Sequence, residues 1–438
     1  MSSRGTLSIS SGKPDGANMT VRRLSAVDAQ AYWMYAKIPN NPLVLYGFGG
    51  VPVDLAQAID VVRRRADECD ELRLRIRDDN RLAFPACVPF DIDASQFVVH
   101  ELDDTSWAGC LAAVRRITDD HLDPQVWPWR LHVFAPVYGL PDAPGAGTVV
   151  VLQIAHALAD GGRSSELAAR ILGRAVDIAP VIPPRLRGVR LPWRSIVATR
   201  THRQLLRDTD AGLVPPQAES RPVLRTNARP TGQLSMRTLS RRRDQLPGPT
   251  VTIGVLCAVS TALSEHLRVL GDDPSRLGAE VPMAKAVVRE AYNHFGNVGV
   301  GLYPELQLDE RAACIAADIA DRRLRAQHPA MRAASRAFAA TPAPLLRWGV
   351  AQFDPAVRSP TVTGNTVVSS VNRGPADLYF GEAPVVFTAG FPALSPMMGL
   401  THGVYGIGDA FTITVNAAES AVGDVDEYVA RLDAALGR

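Results

Sequence analysis

Lysine is almost missing from this chain. Lys13, Lys37 and Lys285 are the only three in 438 residues, so arginine carries nearly all of the positive charge. Acidic residues balance it to a formal net charge of +2, which excludes the strong basic excess of a dedicated nucleic-acid binder. Cysteine is scarce too. Cys69, Cys87, Cys110, Cys257 and Cys314 show no paired spacing, so neither a zinc knuckle nor a disulfide framework fits them. They read as buried thiols of a reducing, cytoplasmic compartment. No apolar run reaches the roughly 18–20 residues that span a bilayer, so any membrane contact is expected to be peripheral. Residues 1–20 are rich in Ser and Gly and lack a signal-peptide core; they are expected to form a disordered leader. Apart from His156, the histidines are scattered without metal-ligand spacing, and no metal is expected. Gly296-Asn297-Val298-Gly299 lacks the lysine and the following helix of a phosphate loop.

What is present fits a globular enzyme: 46% hydrophobic and 21% charged residues. The length calls for two domains or two fused halves. In the first half, helical spacing follows Asp54 (Leu55, Ile59, Val62, Ala66) and again from Trp107 to Asp120. A hairpin is expected around Asp78-Asp79-Asn80, with strand residues at Leu72–Ile76 and at Leu82 and Phe84. Between 177 and 231 prolines and arginines crowd together, predicting a basic, solvated crossover linker with one helix inside it. The second half, 232–438, alternates strands and helices in amounts similar to the first half, 21–176. The expected class is α/β in the broad sense, or α+β.

Thr148–Ala155 is a continuous β-branched run, the mark of a strand buried on both faces. It delivers the chain into His156-Ala157-Leu158-Ala159-Asp160-Gly161, after which a helix is expected. A general base needs a neutral imidazole, held in one tautomer and aimed at a substrate hydroxyl. A turn directly after a buried strand supplies that rigidity. Asp160 could orient the ring, or it could pair with an arginine to brace the turn. Gly161 could permit close backbone approach or an unusual dihedral. The triplet taken alone arises by chance in roughly a few per cent of chains this long, so a loop histidine and a capping aspartate is the bland alternative.

HALADG resembles the HxxxDG motif of the chloramphenicol acetyltransferase/condensation-domain superfamily. Within it, the chain looks like the bacterial wax ester synthase/diacylglycerol acyltransferase family. LSAVDAQAYWM (Leu24–Met34), WPWRLHVF (Trp127–Phe134), NHFGNVGVGLYPEL (Asn293–Leu306) and VVSSVNRGPADLYFGEAPV (Val367–Val385) resemble segments of that family in the expected order. The resemblance implies two chloramphenicol-acetyltransferase-like halves. Acyl-CoA and an alcohol or lipid acceptor would meet at the histidine from opposite sides of a tunnel. It makes His156 the base and Asp160 mainly a structural residue, salt-bridged to an arginine. It offers Asn297 or the Ser369–Asn372 segment, Ser370 included, as donors to the thioester oxyanion, and gives Trp129 a place in the tunnel wall. The family usually carries two adjacent histidines; here the first is Ala155. The Pro-Leu-Trp stretch becomes Trp127-Pro128-Trp129, and SNVPGP becomes SVNRGP.

The expected function is therefore acyl transfer from acyl-CoA, a cosubstrate rather than a prosthetic group, to an alcohol, with no further cofactor. One alternative takes the acyl group from a carrier protein, as polyketide-associated acyltransferases and condensation domains do. A non-enzymatic alternative, supported by Ala155 alone, is a degenerate relative that binds acyl chains or a lipid surface. The Arg185–Arg207 stretch, with seven arginines and no acidic residue, is expected either to bridge the halves or to touch anionic lipid.

Overall fold

The computed structural model of the chain describes residues 21–182, 190–246, 248–285 and 287–437. The expected leader and Arg185 and Arg187 of the basic stretch lie outside the described residues. Two mixed six-stranded sheets dominate. In the first, the spatial order is Tyr379–Phe380, Ala383–Ala389, Leu43–Phe48, Ala146–Ile154, Trp129–Tyr138 and Phe97–His100. In the second it is Phe295–Gly301, Gly278–Ala284, Thr366–Asn372, Leu400–Ile407, Ala410–Ala418 and Leu234–Arg242.

The period of two along a strand decides which core each residue joins. Leu43 and Leu45 pack with the helix Trp107–Ile117 on one face of the first sheet. Val44, Tyr46 and Phe48 pack on the other face, with the helices Leu55–Asp67 and Gly161–Ile171. Ala146–Ile154 is buried along nearly its whole length, as its unbroken apolar run predicts. The second sheet carries Val251–Val269, Leu308–Gln327 and Val425–Leu436 on one face. Helix starts follow the capping rule: Asp54, Ser106, Asp160, Thr250 and Asp424 each accept an N–H of the first turn. Cys69, Cys87, Cys110 and Cys257 are buried and free; burial pushes the Cys87 and Cys110 thiols up to about 12.

Three features differ from the sequence reading. The strand Ala383–Ala389 pairs antiparallel with Leu43–Phe48, so the second half donates an edge to the first sheet and no single cut separates the halves. The expected linker is solvated over most of its helix, where Leu205 alone is buried, but it is anchored at several points. Its helix Leu191–Asp210 packs on the helix Pro329–Ala339, Arg221–Pro222 pairs with Thr361–Val362, and Arg322 and Arg325 bond the carbonyls of Pro216 and Pro215, both at 2.8 Å. The hairpin's second strand is Ala86–Pro89, beyond Leu82 and Phe84, because residues 78–85 are spent on the connection.

Candidate functional site

The buried strand Ala146–Ile154 ends at Ala155, whose N–H donates to the Pro128 carbonyl at 2.8 Å. Ala155 is buried, belongs to a cluster with Leu24, Ala157, Leu158 and Tyr292, and lines the same cavity as His156. The chain then turns through Ala155–Leu158 and enters the helix Gly161–Ile171. That strand, turn and helix present His156 half-buried at the wall of a cavity of about 200 Å³. Tyr32, Met34, Tyr35 and Ile38 supply most of the opposite, apolar wall. Phe295, the first residue of an edge strand of the second sheet, stacks on the imidazole at 5.9 Å between centroids and 15° between planes.

Nδ1 of His156 is the buried ring nitrogen and makes no full hydrogen bond. Burial pulls the imidazole below its usual range. The residue's own carbonyl, Asp160, the Asn293 side chain and the backbone of Ala159 oppose that shift without overcoming it. The ring is thus neutral at neutral pH, as a base must be.

Asp160 does not hydrogen-bond the ring. One carboxylate oxygen accepts Arg163 N–H at 2.9 Å, the N-cap of the helix. The other accepts Arg289 Nη1 at 3.0 Å and His294 N–H at 2.9 Å. Arg289 is the arginine that the resemblance implied. It also donates to the Tyr292 carbonyl at 3.0 Å. Below the turn, buried Arg163 pairs with Glu71 at 3.0 Å and lies over the Tyr292 ring. Asp160 therefore clamps the loop 289–294 of the second half against the turn of the first.

Sequence reasoning missed a second clamp. Asp28, fully buried in the helix Ala26–Tyr35, accepts Ser25 Oγ at 2.7 Å, Tyr292 N–H at 3.0 Å, Asn293 N–H at 2.8 Å and Asn293 Nδ2 at 3.1 Å. The same Nδ2 donates to the His156 carbonyl at 2.8 Å. The signal was an acidic residue inside an otherwise apolar and aromatic run, LSAVDAQAYWM, where a carboxylate needs buried donors.

Other expected site residues are placed differently. Trp129 is core, not cavity wall: it is buried, donates Nε1–H to the Leu72 carbonyl at 2.8 Å and meets Phe97 edge to face. Gly161 has no left-handed backbone, and an added Cβ would meet only a Val371 methyl at 4.0 Å. The unusual dihedral does not hold; the glycine instead leaves open space in front of the helix. Ser370 lies on the wrong face of its strand, bonded at 2.8 Å to Thr252 of the covering helix. Its neighbours Ser369 and Val371 look the other way, toward Tyr405 and Gly161. Asn297 is exposed, on the same strand face as Phe295, and its side chain meets Glu280. His294 turns its ring to the Val287 carbonyl at 2.9 Å. A larger cavity, about 540 Å³, lies between the helices Val251–Val269 and Leu308–Gln327 and shares no residue with the His156 site. Among the described residues no cluster of His, Cys, Asp and Glu could hold a metal ion, and no helix is long and apolar enough to cross a membrane.

Residues 293–438 match the profile of a family described as the WS/DGAT C-terminal domain. Among solved structures, the wax ester synthase/diacylglycerol acyltransferase from Marinobacter aquaeolei VT8 is similar, at TM-score 0.59 and 17% identity, over 94% of this chain and 98% of that one. The starter condensation domain of rhizomide synthetase RzmA, in complex with C8-CoA and Leu-SNAC, is similar at TM-score 0.59 and 16% identity, over 96% and 95%. The same domain with C8-CoA alone gives 0.57 and 16%, over 94% and 93%. No curated protein matches the chain significantly. The chain shares the fold of these structures, two chloramphenicol-acetyltransferase-like halves, and the family match covers its last third.

Proposed function

We propose that the protein is an acyltransferase that moves an acyl group from acyl-CoA to an alcohol, with His156 as general base. The observation that carries this reading is a neutral, half-buried imidazole on a rigid turn at the wall of an apolar cavity. Nδ1 faces the protein, so Nε2 takes the hydroxyl proton. The alkoxide oxygen attacks the thioester carbonyl, the tetrahedral intermediate collapses, and the C–S bond breaks. The thiolate leaves with the proton returned by His156, and ester and free CoA result. Phe295 limits ring rotation by stacking. The apolar wall of Tyr32, Met34, Tyr35 and Ile38 takes the hydrocarbon part of a substrate and keeps competing water from the base. Ser369 and Asn297, on the strand faces not covered by helices, are the candidates for donation to the oxyanion.

A second reading replaces CoA by a carrier-protein thioester, the donor that the resemblance to condensation domains implies. CoA release from a panel of acyl-CoAs and alcohols, corrected for hydrolysis, tests the proposal. His156→Ala is expected to lower it about 10²–10⁴-fold, the usual worth of a general base, without unfolding the protein. A loss below about tenfold rules His156 out as the base. Turnover with an acyl-pantetheine carrier but not with acyl-CoA selects the second reading.

A further inference from the structure

Asp160, the acidic residue closest to His156 in sequence, spends both oxygens on backbone N–H groups and Arg289. The imidazole therefore has no carboxylate to orient it. A base that gains a proton on one nitrogen must still present the other N–H to an acceptor, or the protonated state is destabilised. The groups that favour the protonated ring by hydrogen bonding are its own carbonyl, the Asn293 side chain and the backbone of Ala159.

Asn293 is the side chain among them. Its amide is 95% buried, and its orientation is dictated by its surroundings: Nδ2 lies 3.1 Å from an Asp28 oxygen and 2.8 Å from the His156 carbonyl, both acceptors. A flipped amide would set oxygen against two oxygens. With Nδ2 thus placed, Oδ1 is buried and unpartnered. His156 Nδ1 is likewise buried and unpartnered. The two do not bond each other in this structure; the ring's own carbonyl and the Asn293 side chain are among the groups that favour its protonated form. Asp28 in turn is held by four donors from Ser25, Tyr292 and Asn293, two of them backbone N–H groups that cannot reverse their role.

We infer that Asp28 and Asn293 are positioning residues for His156: Asp28 fixes the Asn293 amide, whose Nδ2 holds the His156 carbonyl and whose Oδ1 accepts Nδ1–H. This rests on His156 being the base. Nδ1–H is kept on the protein side, and Nε2 is left free for the substrate. Asp28 acts through Asn293 and touches no substrate. The remaining titratable and charged neighbours are Asp160 on the same turn, Tyr32 and Tyr35 on the helix Ala26–Tyr35, and Arg289, Tyr292 and His294 on the loop.

The test uses the full chain as Asn293→Ala and as the near-isosteric Asp28→Asn. Both are expected to lower kcat about 10–100-fold, the usual loss on removing a supporting partner, with KM for acyl-CoA unchanged. Both should move the acidic limb of the pH–rate profile to lower pH, because an acceptor of the protonated ring is lost or misaligned. Nitrogen-15 spectra of histidine-labelled protein, with His156→Ala assigning the signal, should show the Nδ1–H tautomer in the parent and a tautomer mixture in the variants. The spectrum needs no turnover, and Asp28→Asn serves should Asn293→Ala fail to fold. An unchanged limb and an unchanged tautomer in a folded variant overturn the inference, whatever its effect on stability. Retained activity in His156→Ala instead overturns the base assignment beneath it.

Discussion

Asp160→Asn separates bracing from catalysis, and the structure sets the size of the effect. The carboxylate accepts three donors: Arg163 N–H at 2.9 Å, His294 N–H at 2.9 Å and Arg289 Nη1 at 3.0 Å. An asparagine keeps one acceptor oxygen. If it continues to cap Arg163, its NH₂ group points at the His294 N–H and at a guanidinium, donor against donor. A hydrogen bond to a charged group is worth about 1.5–3 kcal/mol, and breaking a buried ion pair costs about 3–5 kcal/mol. The upper figure is discounted because the Arg289 side chain is 24% exposed and keeps the Tyr292 carbonyl. The expected loss is about 2–4 kcal/mol of unfolding free energy. Urea unfolding followed by tryptophan fluorescence and by circular dichroism measures it. A cycle with Arg289→Gln and the double variant should give a coupling of about 1–3 kcal/mol. Activity should fall roughly in step with the loss of folded, correctly joined protein. An unchanged unfolding midpoint with abolished CoA release would refute the bracing role and move Asp160 into the chemistry.

Stability should also fall on acidification below about pH 6.5, the ordinary histidine value. Burial pulls His132 down to about 4 and His402 to about 3, so the unfolded chain binds more protons than the folded one and stability rises with pH across that window. Each contributes about 2 kcal/mol of loss between neutral pH and pH 5; urea midpoints that stay constant from pH 7.5 to 5 would contradict this. His402 is held between Thr366 Oγ1 at 2.9 Å and Tyr428 OH at 2.7 Å, so His402→Gln should flatten part of the slope. The proposed lipid contact is narrowed to one stripe of the helix Leu191–Asp210, where Trp193, Ile196, Arg200, Arg203 and Arg207 are exposed at helical spacing. Co-sedimentation with anionic vesicles at low salt should weaken when Arg200, Arg203 and Arg207 become glutamine, each basic side chain being worth on the order of 1 kcal/mol. Absent binding, or binding indifferent to those changes and to salt, leaves the helix as a docked connection between the halves.

The parts of the fold legible in the sequence are those where local pattern and tertiary role agree. Ala146–Ile154 is buried on both faces and reads as an unbroken apolar run; Leu55–Asp67 shows helical spacing after a capping aspartate. Leu43–Phe48, at the centre of the first sheet, and Leu400–Ile407, in the second, were not legible. Both carry glycine, which weakens the strand signal, yet Gly47 and Gly403 sit where a Cβ would strike Phe387 and the Tyr405 and Thr414 side chains. The helices Pro329–Ala339 and Ala343–Gln352 escaped because they bury few large apolar residues and leave Met331, Leu345 and Trp348 exposed.

The same division governs the site. His156 and Asp160 are four residues apart on one turn, and a local motif can carry them. Ser370 against Ser369 is a question of strand register, which a one-residue shift inverts, and the segment VVSSVN contains no alternation to fix it. Asp28 and Asn293 are brought together only because the loop 289–294 crosses from the second half onto the first helix. A buried carboxylate in a sequence is a debt of donors whose source lies elsewhere in the chain. Here two such carboxylates, Asp28 and Asp160, draw on the same loop from opposite sides. The joint between the halves and the support of the histidine are therefore one structure, and loosening that joint should impair the base before it unfolds either core.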